Sequence, residues 1–164
     1  MDWRAGPPYA PPDGGDPRPA RHRAQCFCGA VAFEVYADPV DAKICHCRAC
    51  QTLHGAPFQW AVIFHKRDVR FLRGLDELHF YNSELGRSEH ILPCKLSCNR
   101  CRAPIADEGR NMFLAFGPLF GFESTEAIPL AFRPSCHIFY GARVIDVADG
   151  RPKYLGHKGV GRIE

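Results

Sequence analysis

The sequence predicts a mainly β domain built from many short strands, with few and short helical segments. Three observations predict it. Apolar residues alternate with polar ones over short runs, as a strand with a period of two requires. Turn residues interrupt these runs at short, regular spacing: Asp38-Pro39, Arg73-Gly74, Leu85-Gly86, Glu108-Gly109 and Asp149-Gly150. Cysteines gather in three tight groups, which points to metal staples joining distant parts of the chain.

In chain order, residues 1–23 come first. They are rich in proline, glycine and arginine: Pro7, Pro8, Pro11, Pro12, Gly14, Gly15, Pro17 and Pro19. Such a composition offers little apolar surface to offset the entropy of ordering, so it predicts a disordered tail. A single folded domain is expected over 24–164. Val31, Phe33 and Val35 alternate with Ala32, Glu34 and Tyr36 and predict a strand. Trp60 to His65, Val69 to Leu72, Leu78 to Asn82, His90 to Leu92, Asn111 to Phe116 and His137 to Tyr140 are read the same way. One short helix is expected from about Arg48 to His54, ended by Gly55. Gly117 to Pro134 is apolar but broken by Gly and Pro, and reads as a loop packed on the domain.

With 164 residues, 46% hydrophobic and 24% charged, the chain can form an ordinary core. The net charge of +3 is mild and its basic residues are scattered, which argues against a nucleic-acid partner. No run reaches the ~20 apolar residues of a membrane span. Residues 1–23 lack the apolar stretch of a secretory signal. They carry Asp2, Asp13 and Asp16 and no serine, unlike an organelle transit peptide. A cytoplasmic home is expected, the nucleus being the alternative.

In a reducing compartment clustered thiols are usually metal ligands. Cys26 and Cys28 are two residues apart, as are Cys45 and Cys47, a spacing that strains a disulfide. In extended backbone, residues i and i+2 share a face, so each pair can address one ion. Cys98 and Cys101 have the gap of a zinc knuckle. Cys26, Cys28, Cys98 and Cys101 would close a tetrahedral shell of four thiolates, a structural zinc. Cys45, Cys47 and Cys50 give a second zinc only three ligands. An open fourth position is the mark of a catalytic ion, and a thiolate-rich one suits a thiol substrate.

That second shell could instead be closed by His46, His54 or Cys94. His46 lies between two ligands and should point away from their ion. His54 lies one helical turn beyond Cys50 and is also the available candidate for a proton donor. Cys94 and Cys136 read as buried small hydrophobes, with Cys94 near enough to Cys98 to keep a ligand role open. Gly55 permits close approach to a ligand. Phe58 and Trp60 are either pocket walls or core.

Cys-x-Cys-Gly, Cys-His-Cys-x-x-Cys, Gly-Ala-Pro-Phe with a following tryptophan, and Cys-x-x-Cys together resemble the glutathione-dependent formaldehyde-activating enzyme family, which includes centromere protein V. The resemblance runs from about Gln25 to His157 and takes in His137-Ile138-Phe139-Tyr140 and Asp149-Gly150-Arg151-Pro152. It implies a zinc-stapled β-tent fold, with Cys26, Cys28, Cys98 and Cys101 on the structural zinc and Cys45, Cys47 and Cys50 on the catalytic one. It implies a carbon–sulfur lyase that joins glutathione to formaldehyde as S-hydroxymethylglutathione. Arg48, Arg100 and Arg133 are the candidates for glutathione's carboxylates. The family's knuckle is usually followed by glycine, where this chain has Arg102. The alternative function is a zinc-stapled protein-interaction module, with residues 1–23 as its docking element.

Overall fold

The described residues form ten strands in two sheets. The computed structural model describes residues 2–10 and 15–163. The strands are β1 (His22–Gln25), β2 (Ala32–Val35), β3 (Asp41–Cys45), β4 (Gln59–His65), β5 (Val69–Arg73), β6 (Leu78–Tyr81), β7 (Cys94–Cys98), β8 (Pro104–Glu108), β9 (Met112–Phe116) and β10 (Cys136–Ile138). Among the described residues the one α-helix, α1 (Arg48–His54), joins β3 to β4. The smaller sheet has the order β1-β2-β5 and the larger one β10-β3-β4-β9-β8-β7-β6. All pairings are antiparallel except β10 against β3. The mainly β prediction holds.

Strands β1 to β9 turn one face to a core shared by the two sheets. Phe33 of the smaller sheet meets Phe113 of the larger one, ring centroids 5.5 Å apart. Phe64 and Phe132 extend the cluster, and all four are buried. Fully burying such a side chain stabilises by about 1.5–3 kcal/mol, so these rings dominate the joint between the sheets. Gly74 ends β5 at φ 87°, and a Cβ there would lie 2.3 Å from the Ala30 carbonyl oxygen. Only glycine fits that turn. Phe120 and Phe122 of the long loop also pack on the core, as expected for Gly117 to Pro134.

Helix α1 keeps its predicted bounds, and Gly55 caps it at φ 58°, the left-handed conformation favoured after a helix. Four strands lie outside the runs expected from sequence, although β3 and β7 do alternate between buried and less buried residues. β1 (His-Arg-Ala-Gln) and β8 (Pro-Ile-Ala-Asp-Glu) are strands because neighbours pair with them. β3 and β7 likewise take their place from β4, β6 and β8. Two strand expectations are corrected. His90 to Leu92 is a loop, because the Ile91 N–H turns back to the Glu89 carbonyl and the His90 ring leaves to bond Glu108. The last strand stops at Ile138, because Phe139 adopts φ 52° and starts a 3-10 turn over Tyr140–Ala142.

Residues 1–23 are not a free tail where they are described. Trp3 packs edge-on to Tyr9 and Phe80, centroids 4.6 and 4.8 Å away. Tyr9 is 3% exposed and donates its hydroxyl to Glu108 at 2.6 Å. Asp16 receives Arg70 and Arg18, and Arg18 also reaches Asp68. Two large aromatic side chains supply the apolar burial that the segment's average composition concealed. Pro11, Pro12, Asp13 and Gly14 lie outside the described residues. Because Trp3 is partly exposed, Trp3→Ala is expected to cost about 1–2 kcal/mol, measured by denaturant unfolding; a free tail would give no change.

Candidate metal centres

The first cysteine group forms at the meeting of two turns. After β1 the chain folds back between Cys26 and Val31, the Cys26 N–H donating to the Val31 carbonyl. The Val31 N–H also points at Cys26 Sγ, 3.3 Å away. Cys98 ends β7, and Cys101 follows in a knuckle closed by the Arg102 N–H to the Cys98 carbonyl. The four sulfurs lie within 4.8 Å of one another. Cys28 Sγ stands 3.7 Å from Cys26 Sγ and 3.8 Å from Cys98 Sγ. Zinc–sulfur bonds of about 2.3 Å give a tetrahedron with edges of about 3.8 Å, so the set fits zinc in chemistry and in spacing. Burial opposes ionisation of Cys101, yet backbone N–H groups of Ala103 and Cys28 bring its pKa below the ordinary thiol range. Arg100 stands in the field of Cys28 and Cys98, a cation beside a site that would be anionic. Arg102 takes φ 63°, the left-handed conformation a glycine would take there without strain. An arginine there costs about 1–2 kcal/mol.

The second group brings together Cys45 at the end of β3 and Cys47 and Cys50 at the start of α1. Cys47 caps the helix, its sulfur accepting the Cys50 N–H at 3.3 Å. Gln51 stitches the helix back, donating to the His46 and Ala142 carbonyls at 2.6 and 2.9 Å. The three sulfurs again lie within 4.8 Å of one another, and Cys50 Sγ is 3.6 Å from Cys45 Sγ. Among the described residues no fourth histidine, cysteine or carboxylate joins them. The hydrogen bond with Cys45 and burial push the Cys50 thiol up, and burial raises Cys47. A bound cation would favour the thiolates that burial disfavours.

The candidates for a fourth ligand go elsewhere. His46 is buried and turned away, Nε2 lying 2.9 Å from His137 Nδ1, while His137 Nε2 meets Asp149 at 2.9 Å. Burial, then the neighbouring His137, lowers the His46 pKa to about 4. His54 packs edge-on to Phe116, with neither ring nitrogen hydrogen-bonded, and burial lowers its pKa. Cys94 groups with His90 and Glu108 instead, and Cys136 is buried in β10.

Cys45 and Cys50 open onto a cavity of about 360 Å3, large enough for a small molecule. Asp107 of β8 lines it; its Oδ2 is held by Lys95 at 2.7 Å, and its buried Oδ1 has no hydrogen-bond partner. Burial works against the charge on Lys95, but Asp107, Cys50 and Cys47 outweigh it and raise its pKa. Lys95 also lines a second cleft of about 200 Å3, with His54, His79 and Arg102. Asp107 and Lys95 escaped the sequence reading, since they belong to no motif and reach the cysteines only through strand pairing.

Phe58 packs near His46, and Trp60 donates its indole N–H to the Phe132 carbonyl at 3.0 Å. Neither lines the cavity. Arg48 reaches Gln51, Arg100 pairs with Glu77, and Arg133 binds the backbone of residues 125–128. None of the three lines the cavity or the second cleft. No helix among the described residues is long and apolar enough to cross a membrane.

No curated protein matches the chain significantly. Among solved structures, a Rhodobacter sphaeroides protein has the same fold, with a TM-score of 0.51 and 21% identity over 63% of this chain and 92% of that one. The family model described as glutathione-dependent formaldehyde-activating enzyme matches residues 21–142. That span holds all seven clustered cysteines, the helix that joins three of them, and the strand carrying Asp107. The chain belongs to the glutathione-dependent formaldehyde-activating enzyme family.

Proposed function

We propose that the chain is a zinc-dependent carbon–sulfur lyase that makes or splits a thiol–aldehyde adduct of the S-hydroxymethylglutathione kind. The observation that carries this is the open set of three sulfurs, two of which, those of Cys45 and Cys50, line a cavity that Asp107 also lines. Zinc held by Cys45, Cys47 and Cys50 supplies a Lewis-acid position that favours a thiolate at neutral pH. Cys26, Cys28, Cys98 and Cys101 hold the structural ion.

The chain's own residues supply the proton chemistry. In cleavage, Asp107 takes the proton of the adduct's hydroxyl. The carbon–oxygen double bond forms as the carbon–sulfur bond breaks, and sulfur leaves with the electron pair. Addition runs the same steps backwards. Lys95 fixes the Asp107 carboxylate through Oδ2, while the buried Oδ1 has no hydrogen-bond partner. The second cleft, with Lys95 and Arg102, offers the cations that glutathione's carboxylates need. An interaction module docking through residues 1–23 is less well supported, because Trp3 and Tyr9 are already spent on the domain itself.

The test combines zinc content with thiol binding and turnover. The reduced chain is expected to hold two zinc ions and bind glutathione. Serine at Cys45, Cys47 and Cys50 together should leave one ion and no glutathione binding. Asp107→Asn should keep both ions and lose about a hundredfold or more in rate, the usual worth of a positioned acid or base. An unchanged rate in Asp107→Asn would remove Asp107 from the mechanism. Two ions with no response to glutathione would end the enzyme reading.

A further inference from the structure

The side of the larger sheet that faces away from the core is apolar beside the second cysteine group. In β3, β4 and β9, Ala42, Val62, Phe64, Phe113 and Ala115 point inward and are buried. Alternation sends Cys45, Ala61, Ile63, Met112 and Leu114 to the other face. Register confirms that these are neighbours: Ile63 pairs with Leu114, Leu114 with Asp107, and Cys45 with both Gln59 and Ile138. An antiparallel sheet with one face toward water ordinarily turns polar residues outward. Here Ala61, Ile63, Met112, Leu114, Ile138 and Phe139 form one half of the residues around the 360 Å3 cavity, with Lys43, Gln59, Asp107 and His157 as its polar part. Phe139 joins them from a left-handed backbone conformation, φ 52°, that is costly for an aromatic residue.

A hydroxymethyl group is about the size of a water molecule or two and needs no such wall. We infer that this cavity holds an apolar group of several carbons carried by the substrate, so that the adduct handled here is bulkier and more apolar than S-hydroxymethylglutathione. The inference rests on the proposed function and specifies its substrate class. The sulfur sits at Cys45, Cys47 and Cys50, Asp107 meets the polar end, and the apolar group lies along Ile63, Met112 and Leu114. That group belongs either to the aldehyde half of the adduct or to the thiol half. Both present the same chemistry to the cavity.

Calorimetry on the reduced, zinc-loaded chain tests it without any turnover. One arm compares S-hexylglutathione with S-methylglutathione. The other compares hexanethiol with ethanethiol. Each buried methylene is worth about fourfold in affinity. Binding at least tenfold tighter for the longer chain is therefore expected in one arm. A gain in the first arm places the apolar group on the aldehyde, and a gain only in the second places it on the thiol. Leu114→Asn should abolish the gain while zinc content stays at two, and Met112→Gln serves if Leu114→Asn does not fold. No gain in either arm, or a gain untouched by these variants, overturns the inference. So does a dimer in solution that buries this face. Failure of the functional reading looks different: glutathione and ethanethiol would then not bind at all.

Discussion

Cys98→Ser is expected to leave the chain unfolded and with less than one zinc ion. Cys98 is fully buried at the end of β7, and its sulfur is one corner of the proposed four-sulfur site. Cys26 and Cys28 come from the turn beside the smaller sheet, whereas Cys98 and Cys101 come from the larger one. The ion would therefore tie the two sheets together at one end. Structural zinc contributes about 10–16 kcal/mol of folding free energy in small domains. A domain of this size has only about 5–15 kcal/mol of stability in all. Serine keeps the volume but not the thiolate. Circular dichroism and zinc analysis of the purified variant check this. A folded variant that still holds two ions would show that these four sulfurs are not a zinc site. Serine at the second group should do far less to the fold, since Cys45, Cys47 and Cys50 come from one short segment and close no long loop.

Glu108→Ala is expected to cost about 3–5 kcal/mol and to free the N-terminal segment, with zinc content unchanged. The Glu108 side chain is 2% exposed. It accepts the Tyr9 hydroxyl at 2.6 Å, meets His90 Nε2 at 2.8 Å and pairs with Lys66 at 2.8 Å. Burial, then the Glu108 charge, holds the Tyr9 pKa far above the ordinary phenol range, so Tyr9 stays a donor. Removing the carboxylate leaves a half-buried lysine, a phenol and a histidine without their acceptor. Denaturant unfolding gives the cost. Limited proteolysis between residues 1 and 21 reports release of the segment. Unaltered stability and protection would mean the segment is held by Trp3 and Tyr9 packing alone. The same cluster explains why Cys94 does not serve the second cysteine group: its sulfur faces Glu108 at 3.8 Å.

The cysteine groups were readable because their chemistry is local. Cys-x-Cys and Cys-x-x-Cys spacing sets which sulfurs can turn to one side, whatever surrounds them. Helix α1 was readable for the same reason, its end being written in Gly55. β2, β4, β5 and β9 announced themselves by alternation. His90 to Leu92 misled because its apolar residues satisfy a loop rather than a ladder. The tail misled because proline and glycine outweighed Trp3 and Tyr9 in the average, while burial depends on individual side chains.

The sequence by itself determined a mainly β chain, three cysteine groups, a four-sulfur and a three-sulfur set, and the family. These follow from local spacing and period, which a single segment carries. Only the tertiary structure decided that Lys95 and Asp107 stand beside the second group, that His46 turns to His137, and that Tyr9 is core. It alone put an apolar wall next to Cys45 and Cys50. Each of these depends on strand order and register between segments tens of residues apart, and pairing across that separation is settled by the whole core rather than by any one run of residues.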